Sequence, residues 1–90
     1  MDMTIDGREI PSREALHARM KQELEFPDWY GGNLDAMVDC LTDLRQETSI
    51  RVTGFSGMRE ALGAYADRWL RALKGAAAEN PALHLKLEED

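Results

Sequence analysis

Ninety residues suffice for one small domain with a single core, and 43% hydrophobic with 31% charged residues lies in the globular range. The formal charge of −6 argues against a nucleic-acid backbone as partner, because such binding is driven by Lys and Arg displacing condensed counterions; an acidic chain favours a basic partner instead. No basic segment precedes an apolar run near the N-terminus, nowhere do about 18 apolar residues follow one another, and the single Cys40 cannot close an intramolecular disulfide, so the expectation is a cytoplasmic, membrane-free domain over residues 1–90.

The first predicted element is a strand over Met3–Asp6, where apolar and polar residues alternate up to the turn signal Asp6-Gly7. Ser12 can cap a first helix with Glu14 in its opening turn, Leu16, Met20 and Leu24 recurring four apart, and Pro27 forbidding continuation. After the loop "PDWYGG", Asn33 can cap a second helix whose apolar stripe is Leu34, Met37, Val38, Leu41 and Leu44. The segment "TSIRVTGF" alternates again and predicts a second strand, after which Ser56 can cap a short helix through Leu62. A fourth helix is expected from about Tyr65 to Ala78, with Tyr65, Trp69 and Leu73 four apart, before Pro81. The tail "LHLKLEED" puts Leu83, Leu85 and Leu87 on one face of a third strand and His84, Lys86 and Glu88 on the other.

Strands separated by helices need crossover connections and so form a parallel sheet. Parallel sheets covered on both faces read as continuous apolar runs, whereas these strands alternate. The fold class that reconciles the two is a two-layer α/β domain, a three-stranded parallel sheet with about four helices packed mainly on one face. The sequence leaves the spatial order of the strands open.

The second helix carries an unusual set of acids. Asp35, Asp39 and Asp43 are spaced four apart, with no Lys or Arg between Lys21 and Arg45 to offset them. Each such like-charge pair on an exposed helix costs about 0.2–0.5 kcal/mol. Asp35 has a local explanation, because a carboxylate in the first turn is favoured by the helix dipole. Asp39 has none, since mid-helix aspartate is a poor helix former, and Asp43 faces the negative end of the dipole. Gly31-Gly32 reads first as a tight entry turn to the capping Asn33. Trp29 and Tyr30 are candidate interface anchors, one of them expected to pack on the core. Cys40 reads as a buried small hydrophobe rather than a nucleophile, and neither His17 nor His84 has Cys or His at metal spacing, so no cofactor or metal is assigned.

From "IDGREI" through "LHARMKQELEFPDWYGGNLDAMVDCLT" the sequence closely resembles the barstar family, small acidic intracellular inhibitors of microbial ribonucleases of the barnase type. The stretch "PDWYGGNLDAMVDCL" is the most specific part, since it combines an entry turn, a cap and paired acids in one register. The resemblance implies a three-stranded parallel sheet with helices. It also implies that the second helix and the loop before it plug a nuclease active site, the acid at Asp39 occupying the place of a substrate phosphate. Asp35 matches the second key acid, while Trp29 and Gly31 match loop positions that contact the enzyme. The contact surface implied extends to Tyr30, Asn33, Val38, Thr42, Asp43 and Leu44. Ribonuclease sites hold phosphate with Arg, Lys and His, with which a carboxylate forms charge-assisted, often bidentate hydrogen bonds. Steered association and charged hot spots are inherited from the family, for which the barnase pair is itself the standard case.

The sequence departs from the best-known family member at several places. Val38 and Leu44 stand where that protein has tryptophans, Gly32 replaces an acid, the second cysteine is absent with Ala82 near its place, and the further acidic contact near the end of the last helix has no clear match in "LKGAAAEN", where Glu79 is a candidate. The expected function is an immunity protein of a bacterial cell, binding one basic, extracellular-type ribonuclease as a 1:1 heterodimer. The alternatives are an acidic adaptor with a non-nuclease partner, and an enzyme using Asp35 and Asp39 as an acid–base pair. The last would need one carboxyl in a cleft, which a helix face beside loop glycines does not offer.

Overall fold

A computed structural model describes residues 1–88 of the chain, so the last two residues of the "LHLKLEED" tail lie outside the described part. The elements in order are β1 (Asp2–Asp6), a 3-10 turn (Gly7–Glu9), α1 (Arg13–Leu24), α2 (Leu34–Thr42), β2 (Thr48–Thr53), α3 (Phe55–Leu62), α4 (Ala64–Glu79) and β3 (Leu83–Leu87). All three strands are parallel and lie in chain order, β1-β2-β3. The register pairs Met3 with Ile50, Ile5 with Val52, and Ile50 with Leu85. Since side chains alternate across a strand, this register sends all the apolar residues to one face.

That face is the covered one. Met3, Ile5, Ile50, Val52 and Leu83 are buried against the helices, while Thr4, Ser49, Arg51, His84 and Lys86 are exposed on the other side. The alternating strands thus belong to a two-layer α/β fold, as expected. The cover thins along β3, where Leu83 is buried, Leu85 half-buried and Leu87 43% exposed. The core between the layers is built from Leu16, Met20 and Leu24 of α1, Met37 and Leu41 of α2, Met58 of α3, and Trp69 and Leu73 of α4.

Two local expectations are corrected. Ser56 does not cap α3: the helix begins two residues earlier than such a cap implies, at Phe55, and its N-cap is Gly54 in a left-handed conformation with no side-chain cap bond. Glycine is required there, because φ is +58° and a Cβ would approach Asp6 Oδ1 to 2.5 Å. The second helix also ends sooner than the apolar spacing suggested. Its last residue is Thr42, Asp43 is the C-cap, and Leu44 packs on the core from beyond the helix.

Candidate functional site

Asn33 starts α2 as expected. Its Oδ1 accepts the Ala36 N–H at 2.8 Å and its backbone carbonyl accepts the Met37 N–H at 3.0 Å. Gly32 enters this cap with φ +67°, where a side chain would be strained, and a Cβ on Gly31 would meet the Asn33 amide at 3.2 Å. With about 100° of rotation per residue, Asp35, Asp39 and Thr42 fall on one side of the helix and Met37, Cys40 and Leu41 on the other. The second set is buried, and Asp35 and Asp39 are exposed. Val38, placed on the apolar stripe by its spacing, is half-buried and outside the core cluster. It sits about 100° around the helix from Met37, at the border between the core and the acids.

Asp43 extends the acidic side by donating its N–H to the Asp39 carbonyl at 3.2 Å, which keeps the chain helical for one further residue. The Thr42 hydroxyl turns inward to the Val38 carbonyl at 2.9 Å. Among the described residues no cation pairs with Asp35, Asp39 or Asp43. Three carboxylates therefore stand on one surface without an ion pair among the described residues, Arg13 and Arg45 lying only in the grooves beside Asp35 and Asp43.

The loop before the helix separates its two aromatic residues. Pro27 to Tyr30 forms a turn closed by the Tyr30 N–H on the Pro27 carbonyl at 3.0 Å. Trp29 is thrown outward and is 72% exposed, whereas Tyr30 is only 9% exposed and packs against Phe26 with ring centroids 4.9 Å apart. As expected, one of the two packs on the core: Tyr30 does so, and Trp29 alone presents itself. Tyr30 is corrected to a buried support.

Sequence reasoning missed what holds this surface in place. His17 of α1 is buried, its Nδ1 lying 2.5 Å from the Tyr30 hydroxyl and its Nε2 2.6 Å from the Tyr65 hydroxyl of α4. One imidazole thus ties the loop to two helices. Burial holds the His17 imidazole below its ordinary value, opposed by the nearby Glu14 carboxylate, and burial raises both phenols. At the other end of α2, the buried Asn80 donates its side-chain amide to the carbonyls of Leu41 and Leu44, 2.9 Å each, and accepts the Ala82 N–H at 3.0 Å. The Leu41 carbonyl, which takes only a long 3.4 Å bond from the Leu44 N–H, and the Leu44 carbonyl beyond the helix thus gain a donor from α4's end. The only signals in the sequence were a histidine beside an apolar stripe and an asparagine before proline.

Cys40 is buried, and burial, followed by the carboxylates of Asp39 and Asp43, pushes its thiol up, away from nucleophilic chemistry. Glu79 shares a shallow groove with Thr42, Asp43 and Leu44, so it adjoins the C-terminal end of the acidic surface. The whole surface suits a convex protein contact: an exposed aromatic, a rigid entry turn, and unpaired carboxylates.

A family model described as Barstar (barnase inhibitor) matches residues 1–88. The chain belongs to the barstar family. A protein of Bacillus subtilis (strain 168) named "Putative ribonuclease inhibitor YrdF" is 41% identical over 76 residues, which cover 83% of this chain and 84% of that protein. Barstar membership together with this relative supports a ribonuclease-inhibitor role and a protein partner of the ribonuclease kind. It accords with a surface that offers charge for binding rather than a cleft for turnover. Among the described residues no helix is long and apolar enough to cross a membrane.

Proposed function

We propose that this chain is a cytoplasmic immunity protein that inactivates a basic, extracellular-type ribonuclease by seating α2 and the loop before it in the enzyme's active site. Asp39 occupies the place of a substrate phosphate and is met by the Arg, Lys or His side chains that would hold that phosphate. Asp35 engages the same basic wall one turn earlier. Trp29 covers the rim, with Gly31 allowing close backbone approach and Asn33 fixing the start of the helix, and Val38, Thr42, Asp43 and Leu44 form the far side. Tyr30 contributes by fixing the loop. Glu79 extends the acidic surface beyond α2. One inhibitor meets one enzyme, and no cofactor takes part.

The observation that carries this reading is the row of exposed carboxylates on α2, none of which forms an ion pair among the described residues. Beyond Asp35, which the helix dipole favours, a fold gains nothing from such a row, because each pair within it is repulsive. A basic partner does gain, since opposite charges steer the encounter and pair on docking. The test is a stopped-flow titration against a barnase-type ribonuclease at several salt concentrations. Stoichiometric inhibition with an association rate that falls steeply with salt is expected, because screening acts over about 8 Å at physiological ionic strength. No inhibition, or an association rate that stays flat with salt, would sink the reading.

A further inference from the structure

We propose that His17 is a positioning residue that latches the Trp29–Gly31 loop through Tyr30, and that acidification opens the latch. The loop itself makes few internal commitments. Trp29, Gly31 and Gly32 are exposed, and the turn that presents them is closed by one backbone hydrogen bond, from Tyr30 to Pro27. The fixed point is the Tyr30 side chain, gripped by Phe26 and by the His17 ring. That ring is held from behind by Tyr65, so the position of the loop is referred to α1 and α4 together.

The protonation state of His17 decides whether this chain of bonds is complete. A neutral imidazole has one N–H and one lone pair, so one phenol donates to the ring and the other accepts from it. On protonation both ring nitrogens become donors. The phenol that donated into the ring then loses its acceptor, and among the described residues neither phenol hydroxyl has another hydrogen-bond partner. A buried donor without a partner is unstable in place and moves toward water. Of the two phenols, Tyr30 lies on the loop, next to the exposed Trp29 and Gly31, while Tyr65 lies within a helix.

The surrounding charges act in both directions. On α1, Glu14 favours the charged ring and Lys21 lies in the same surface groove as His17, Tyr30 and Gly31. From α4, the Tyr65 ring carries the Arg68 guanidinium 5.4 Å from its centroid, with the Arg13 guanidinium of α1 at 4.4 Å. From α2, Cys40 faces Tyr30 as a neutral thiol. The two guanidiniums act on the Tyr65 phenol; at the ring itself burial outweighs the one carboxylate, holding the imidazole below its ordinary value and neutral near pH 7. The consequence for partner release rests on the proposed inhibitor reading. The motion of the loop does not.

The test is therefore made on the free protein. Nuclear magnetic resonance would follow the His17 ring nitrogens and the backbone amides of residues 29–32 from pH 8 to 4.5, in the unsubstituted chain, in His17→Gln and in Tyr65→Phe. The loop amides are expected to titrate with the midpoint of His17, their protection against exchange, taken relative to the intrinsic rate at each pH, falling about tenfold or more across it, while the amides of Met37 to Leu41 do not follow. In His17→Gln the loop step disappears. In Tyr65→Phe, which keeps the ring for packing, the midpoints of His17 and of the loop move together. A loop step that survives in His17→Gln, or one that stays put when Tyr65→Phe moves the His17 midpoint, overturns the latch, as does a His17 that titrates while the loop is unchanged. Inhibition of a barnase-type ribonuclease is measured separately, so loss of the inhibitor reading and loss of the latch are distinguishable.

Discussion

Trp29 and Tyr30 are neighbours in the chain and do opposite work: the first stands in solvent at the edge of the acidic helix, and the second is buried with its hydroxyl 2.5 Å from His17 Nδ1. Stability and binding should separate between them. Tyr30→Phe leaves a buried imidazole nitrogen without its partner and is expected to destabilise the fold by about 1–3 kcal/mol. Trp29→Ala removes a surface side chain and should change stability by less than about 0.5 kcal/mol, while weakening partner binding by at least about 2 kcal/mol as an aromatic anchor. Urea unfolding of both variants, followed by inhibition assays, checks the pair of outcomes.

Asn80 fastens the far end of the same helix. Asn80→Ala removes the side-chain donor of the Leu44 carbonyl and leaves the Leu41 carbonyl with only the 3.4 Å bond from the Leu44 N–H, at the place where α2 has run out of its own N–H groups. The expected loss is about 1–3 kcal/mol. Asn80→Asp should be worse, because a carboxylate would face two carbonyl oxygens at the distance where an amide now donates. Denaturant midpoints that fall in the order Asn, Ala, Asp check this; an aspartate variant as stable as the original would contradict the assignment.

Stability should also depend on pH through His17. Its folded value lies below the ordinary 6.5, so the unfolded chain takes up a proton more readily than the folded one. The stability of the neutral, buried ring is fully present above about pH 6.5 and is lost progressively as pH falls through that value toward the lower folded one. Urea midpoints between pH 8 and 5 should decline across this window in the unsubstituted protein and lose that step in His17→Gln. An unchanged slope in the variant would assign the decline to other groups.

Cys40→Ala should leave inhibition intact and cost at most about 1–2 kcal/mol, as for a small buried group removed. Loss of inhibition by the folded variant would mean that the thiol, not the carboxylate beside it, carries part of the site.

What could be read in the sequence was what depends on neighbours along the chain. The caps at Ser12 and Asn33, the alternation in β1 and β2, and the four-residue spacing of Tyr65, Trp69 and Leu73 are local, and each element appears where these put it. The acids of α2 were legible for the same reason, since four-residue spacing alone places them on one side of a helix. The supports of the site were not. His17 and Tyr65 are 48 positions apart, and Asn80 reaches Leu41 across 39, so no window of sequence contains either pair. Val38 was misread because spacing of four from Leu34 also carries it around toward the acids. Ser56 was misread because a serine hydroxyl is a common cap, while the start of α3 is decided by the left-handed Gly54, where Asp6 leaves no room for a side chain.

Asp39 carries the central claim, that a residue unfavourable to the fold is retained for the partner. Removing it relieves repulsion with Asp35 and Asp43 by about 0.2–0.5 kcal/mol per pair and replaces a poor helix former with a good one, worth up to about 0.7 kcal/mol, so Asp39→Ala should be folded and slightly more stable. Against the partner, basic groups buried without their counter-charge should weaken the complex by at least about 3 kcal/mol, a factor of a hundred or more. The decisive measurement is the inhibition constant of Asp39→Ala against a barnase-type ribonuclease that the unsubstituted chain inhibits. A loss of a hundredfold or more in a protein at least as stable as the original is the predicted result. An unchanged inhibition constant, with the free fold destabilised by more than about 1 kcal/mol, would make the carboxylate a structural group and contradict the assignment of Asp39 as a stand-in for phosphate.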